Sequence, residues 1–150
     1  NKITSGVFAV ETSSQIRKIT AGVTVSQLLA GINEKAFVTI YNADGTVAQG
    51  DALAATGMVA KLIVAGRVVD SVTVVVTGDV NGDGSIDSKD AQQILDYEAG
   101  VPGASAPLGV ADVSGDGVAD SNDAVLILQY AEKKIDKLPV DKTEKAAENE

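Results

Sequence analysis

Twelve residues that begin at Asp79 recur 33 positions later. Asp79-Val80-Asn81-Gly82-Asp83-Gly84-Ser85-Ile86-Asp87-Ser88-Lys89-Asp90 is answered by Asp112-Val113-Ser114-Gly115-Asp116-Gly117-Val118-Ala119-Asp120-Ser121-Asn122-Asp123. Carried on to Tyr97 and Tyr130, the two segments share twelve of nineteen aligned residues, which marks an internal duplication. Four carboxylates within twelve residues repel one another unless a cation neutralises them. An acidic, solvated loop does not account for the same spacing appearing twice with the same glycines.

The spacing has a physical reason. Oxygen groups at loop positions 1, 3, 5, 9 and 12, with a backbone carbonyl at 7, can wrap one calcium ion in six to eight oxygens. Glycine at position 6 allows the sharp turn that brings both halves round the ion. The first loop would use Asp79, Asn81, Asp83, the Ser85 carbonyl, Asp87 (itself or by way of a water) and Asp90. The second would use Asp112, Ser114, Asp116, the Val118 carbonyl, Asp120 and Asp123. Position 8 is apolar in both, Ile86 and Ala119, as suits paired loops bridged by a short β contact.

Two features depart from an ordinary EF-hand. Position 12 is Asp rather than the longer Glu, so each loop must close nearer its ion. Neither loop follows a convincing helix: Thr73 to Gly78 reads as strand, and Pro102 to Val110 as a Pro/Gly-broken linker. Only exiting helices are expected, over about 88–98 and 121–133.

Composition narrows the chemistry further. The chain has no Cys and no His, which removes disulfides, thiol catalysis, zinc-thiolate sites and the commonest general base. Oxygen ligands remain, and they suit hard cations. Formal charge is −9, against a nucleic-acid binder or a polybasic membrane-surface protein. The charge is local. Residues 1–77 hold five acids and six bases, while 78–150 hold sixteen acids and six bases. Two modules are expected, divided near residue 78. No apolar run approaches the length of a membrane span. The start at Asn1, without a basic-then-apolar leader, is expected of a fragment of a longer protein whose signal peptide is absent.

The first module reads as a small β-rich, sandwich-like domain with one short helix. Runs 7–10 and 16–19 are β-like. Thr24 and Gln27 form a capping box before an apolar helical face of Leu28, Leu29 and Ile32. Residues 37–41 read as a strand, Asp44-Gly45 as a turn, and 58–64 with 67–77 as a hairpin about Ala65-Gly66. Val74-Val75-Val76 suggests burial on both sides. Its five acids are scattered as surface charges, and Phe37 and Tyr41 are assigned to core packing over a sugar-stacking platform.

Loop–helix repeats of this kind, duplicated and joined by a short linker, resemble a dockerin module over residues 78 to about 138, with repeats at about 79–98 and 112–134. The resemblance implies an all-α fold holding two calcium ions. It also implies a calcium-dependent plug that binds a cohesin of a scaffoldin or cell-surface protein. Its parent would thereby enter a secreted, cell-surface-associated bacterial complex of the cellulosome type that degrades polysaccharide. Residues 1–77 would then resemble the X modules that precede some dockerins, and 139–150 would be a polar, disordered tail. The overall expectation is thus an α+β chain, with a β-rich domain followed by an all-α one.

In the dockerin family the residues after position 9 help choose the cohesin, which here points to Ser88 and Lys89, and to Ser121 and Asn122. The serines keep the internal symmetry; Lys89 and Asn122 break it. The helices also differ. Ala91, Ile94 and Leu95 form a stripe on the first, beside solvated Gln92, Gln93 and Asp96. Ala124, Ile127, Leu128 and Ala131 repeat the stripe on the second, but Val125 and Leu126 replace the glutamines, so these two are expected in a partner contact. The alternative function is a calcium-rigidified structural spacer or cell-surface assembly domain without a cohesin. A glycosidase using paired carboxylates is disfavoured, because the acids stand in metal-ligand spacing.

Overall fold

Strands β1 (Ala9–Val10), β2 (Gln15–Arg17), β3 (Val38–Tyr41), β4 (Val59–Val64) and β5 (Arg67–Val74) form one sheet in the computed structural model, which describes residues 2–12 and 14–139. Its order is β1-β2-β5-β4-β3. Neighbours run antiparallel except β2 and β5, which are parallel through Gln15–Thr73 and Ile16–Val74. The two-residue period of the strands turns Ile16, Val38, Ile40, Ala60, Leu62, Val72 and Val74 to one buried face. Helix α1 (Val25–Ala30) adds Val25 and Leu28 to that core, and Ile32 follows just past its end. A single 3-10 turn, Lys35–Phe37, leads into β3.

Local signals explain the boundaries. The Thr24 hydroxyl accepts from the Gln27 N–H at 3.3 Å, and the Thr24 N–H donates to Gln27 Oε1 at 2.9 Å, the expected capping box. The β4–β5 turn holds Ala65 at φ 52° and Gly66 at φ 76°, the paired positive values a two-residue hairpin needs. A helix of only six residues has little intrinsic stability, so its cap matters. Thr24→Ala is expected to cost about 1 kcal/mol. Thermal melting checks this, and an unchanged curve would mean that packing of Leu28 alone fixes the helix.

The expected architecture needs correcting. Among the described residues there is no second sheet to make a sandwich; one five-stranded mixed sheet and four helices are present. The parallel β2–β5 pairing replaces the all-antiparallel packing of a sandwich. The later part is also more than two loop–helix repeats, because the one-turn helix α3 (Leu108–Ala111) precedes the second loop. Pro107 stands at its N-cap, where the missing N–H of proline costs nothing, so the residue read as a breaker serves as a starter. Phe37 is 60% exposed rather than packed in the core, while Tyr41 is half-buried under the Lys61 ammonium at 4.5 Å. Val74, Val75 and Val76 are all buried, as expected.

The chain divides into two units, Asn1–Val76 with Gly82–Ser85, and Thr77–Asn81 with Ile86–Glu150. In the second, α2 (Ser88–Glu98) packs on α4 (Ser121–Ala131). Ala91 and Ile94 on α2, and Ala124 and Ile127 on α4, are small stripes at helical spacing and at most 1% exposed. Val110, Ala111, Val113 and Leu138 are also buried. Val140 to Glu150, most of the expected polar tail, lie outside the described residues. No helix among the described residues is long and apolar enough to cross a membrane.

Candidate metal centre

Each repeated loop brings three of its four carboxylates together. Oxygens of Asp79, Asp83 and Asp90 all lie within 4.8 Å of one another, and so do those of Asp112, Asp116 and Asp123. Two oxygens on opposite sides of a calcium ion stand about 5 Å apart, so this spread suits a single hard cation in each loop. Glycine at position 6 makes the reversal possible: Gly84 has φ 86° and Gly117 φ 88°. Position 5 then turns back on position 7, with Asp83 Oδ1 accepting from the Ser85 N–H at 2.9 Å. Asp116 Oδ1 accepts from the Val118 N–H at 3.0 Å.

The last carboxylate of each loop is anchored by the backbone. Asp90 accepts from the Asn81 N–H at 3.0 Å and the Asp87 N–H at 2.9 Å. Asp123 accepts from the N–H groups of Val113 and Ser114, both at 3.0 Å, and of Asp120 at 2.9 Å. The short Asp therefore closes the loop by hydrogen-bonding across it, where the longer Glu would have had to fold back. Asp112 gathers the Ser114 hydroxyl at 3.1 Å and the Gly115, Asp116 and Gly117 N–H groups at 2.7, 3.2 and 2.9 Å.

Burial makes these carboxylates unusual. Asp79, Asp90 and Asp123 are each 0% exposed. Burial pushes the Asp90 carboxyl above the usual carboxylate range, and the charge of Asp79 adds to the rise, while N–H bonds from Asn81 and Asp87 oppose it. A buried carboxylate is tolerated when paired or when it coordinates a metal. The donor set is entirely oxygen, acid-rich and convergent, and it fits calcium.

Asp87 and Asp120 stand apart from the two three-carboxylate groups. Each caps a helix, Asp87 accepting from the Lys89 N–H and Asp120 from the Asn122 N–H, both at 2.9 Å. With Asp90 and Asp123 as reciprocal partners they form complete capping boxes. Sequence reasoning missed this role, although an Asp-x-x-Asp before an apolar stripe was the available signal. It missed Gln93 as well, whose Nε2 donates to the Ser105 carbonyl at 2.8 Å and the Val80 carbonyl at 3.3 Å instead of facing solvent. No β bridge joins Ile86 to Ala119 among the described residues. Ser88, Lys89, Ser121 and Asn122 are exposed on the first turns of α2 and α4; Val125 is 51% exposed and Leu126 half-buried.

The family model of the dockerin type I domain matches residues 77–131. Among solved structures, a chain is similar from the Acetivibrio cellulolyticus complex of the third cohesin of ScaC with the ScaB dockerin, mutated from IN to SI in its N-terminal helix and displaying a type I interaction. The identity is 40% over 45% of this chain and 97% of that one, with a TM-score of 0.42. No curated protein matches the chain. Through residues 77–131, with its two loop–helix repeats, the chain belongs to the dockerin type I family.

Proposed function

We propose that this chain is a calcium-dependent binding module that docks its parent protein onto a cohesin in a cellulosome-type, extracellular or cell-surface complex. The observation that carries the reading is the twofold convergence of position 1, 5 and 12 carboxylates within the dockerin segment. One calcium ion would sit in each loop, held by Asp79, Asn81, Asp83, the Ser85 carbonyl and Asp90, and by Asp112, Ser114, Asp116, the Val118 carbonyl and Asp123. Asp87 and Asp120 would join only through water, since their carboxylates are engaged at the helix starts. The ions supply the positive charge that lets the loops close; the helices α2 and α4 then present Ser88, Lys89, Ser121 and Asn122. Val125, exposed where α2 carries a glutamine, supplies an apolar contact beside Leu126. The domain division that follows is an X-module-like region at 1–77 and a dockerin at 78–138, with no catalytic role for either.

Binding of the chain to a panel of labelled cohesins, with calcium and with chelator, tests this. Tight binding to at least one cohesin, lost on chelation, is expected. Calcium binding without any cohesin binding would leave the rigidified spacer as the function.

A further inference from the structure

The two loops differ at position 3, and the difference carries chemistry. The first places Asn81 before Gly82, the one Asn-Gly step in the chain; the second has Ser114 before Gly115. Asn81 is exposed and Gly82 has φ 76°. Glycine has no Cβ to shield its nitrogen and moves readily between backbone wells. It cannot easily be replaced here, because a Cβ on Gly82 would stand 2.8 Å from the Thr56 carbonyl oxygen. The loop is therefore committed to an Asn-Gly step at a ligand position.

We propose that Asn81-Gly82 is a modification site, a deamidation step gated by the bound cation, which inactivates the first loop in chains left without metal. The proposal rests on the calcium reading above. In the reaction the Gly82 backbone nitrogen attacks the Asn81 side-chain carbonyl carbon, the nitrogen's proton leaves with the amide nitrogen as ammonia, and a succinimide ring forms. Water then opens the ring at either carbonyl. One opening leaves an aspartate where Asn81 stood, and the other an isoaspartyl link that routes the backbone through the side chain. Net, one water enters and one ammonia leaves; no oxidant or co-reactant is required.

A cation bound to the Asn81 oxygen would hold the side chain away from the Gly82 nitrogen, and its release would remove that restraint on attack. The products differ from the substrate where the loop is most sensitive. Aspartate adds a fifth carboxylate to a loop that already converges three, and like charges disfavour one another. The isoaspartyl link inserts a methylene between positions 3 and 4, which shifts Asp79 out of register with Asp83 and Asp90. The second loop, with serine at this position, has no such reaction. Chains that lose calcium would thus be marked in one repeat only.

The test is peptide-mapping mass spectrometry of the full chain after incubation in mildly alkaline buffer, with calcium and with chelator, alongside calorimetric measurement of calcium binding. The amide-to-acid mass change at Asn81 is expected to accumulate in chelator and to be slowed by calcium about tenfold or more, each tenfold being roughly 1.4 kcal/mol of barrier. Asn33, Asn42 and Asn122, followed by Glu, Ala and Asp, should change far less. Asn81→Ser should abolish the mass change in that peptide. Equal rates with and without calcium, in protein that binds calcium, would overturn the gating and leave the metal reading intact. Absence of change in chelator would overturn the site itself. Absence of calcium binding would remove the metal reading, and the gating with it.

Discussion

Chelation of calcium is expected to abolish cooperative melting of residues 77–131 while leaving the transition of residues 1–76 in place. The contrast follows from what each unit buries. The first has sixteen buried apolar residues in one cluster, including Ile3, Ile16, Leu28, Ile32 and Leu62. The second relies on small side chains, with Ala91, Ala111 and Ala124 beside Ile94, Ile127, Val110 and Val113. Into that modest core it places the wholly buried carboxylates of Asp79, Asp90 and Asp123. An ion bound only by the folded state stabilises it by about 4 kcal/mol when present at 1,000 times its Kd. Two such ions amount to a large fraction of the roughly 5–15 kcal/mol that holds a typical domain together. Differential scanning calorimetry should show two transitions in calcium and one in chelator. A trace unaltered by chelator would remove calcium from the fold and from the proposed function.

The parts of the molecule legible in the sequence are those in which chemistry ties residue types to fixed short spacings. The calcium-type loops are of this kind, because position 6 must turn and positions 1, 5 and 12 must converge. Gly84, Gly117 and both carboxylate groups stand where the spacing puts them. The Thr24–Gln27 box and the Ala65-Gly66 hairpin are equally local. What is not legible depends on long-range pairing or on two signals laid over one another. The three-residue strand Gln15–Arg17 gives no hint that it will pair parallel to β5, some 58 residues further on at Thr73 and Val74. That single pairing turns an expected sandwich into one mixed sheet. In the loops, the ligand pattern at positions 9 and 12 hides a helix-capping pattern made of the same residues. The general habit of aromatics assigns Phe37 to the core, but it belongs to a 3-10 turn with no buried residue at the entry to β3.

The overlap of ligand and cap gives the second large effect, at Asp123. Its carboxylate accepts from three backbone N–H groups, those of Val113, Ser114 and Asp120, and supplies one of the three converging acids of its loop. Asp123→Ala leaves those donors without their acceptor. A buried donor left unsatisfied costs about 1–3 kcal/mol, so about 3 kcal/mol or more is expected even before any loss of the ion. Asp120→Ala removes the side-chain cap on the Asn122 N–H but keeps the Asp120 backbone N–H that donates to Asp123, and about 1 kcal/mol is the usual cost of a lost cap. The two positions are three residues apart on one helix start and both belong to its capping box, so the number of ions bound, rather than the stability difference, reads the ligand role. Calcium titration by calorimetry should find one ion fewer in Asp123→Ala and an unchanged number in Asp120→Ala. Chemical denaturation in calcium should order the two losses the same way. If Asp120→Ala loses the ion as completely as Asp123→Ala, position 9 binds the metal directly and the capping geometry is secondary.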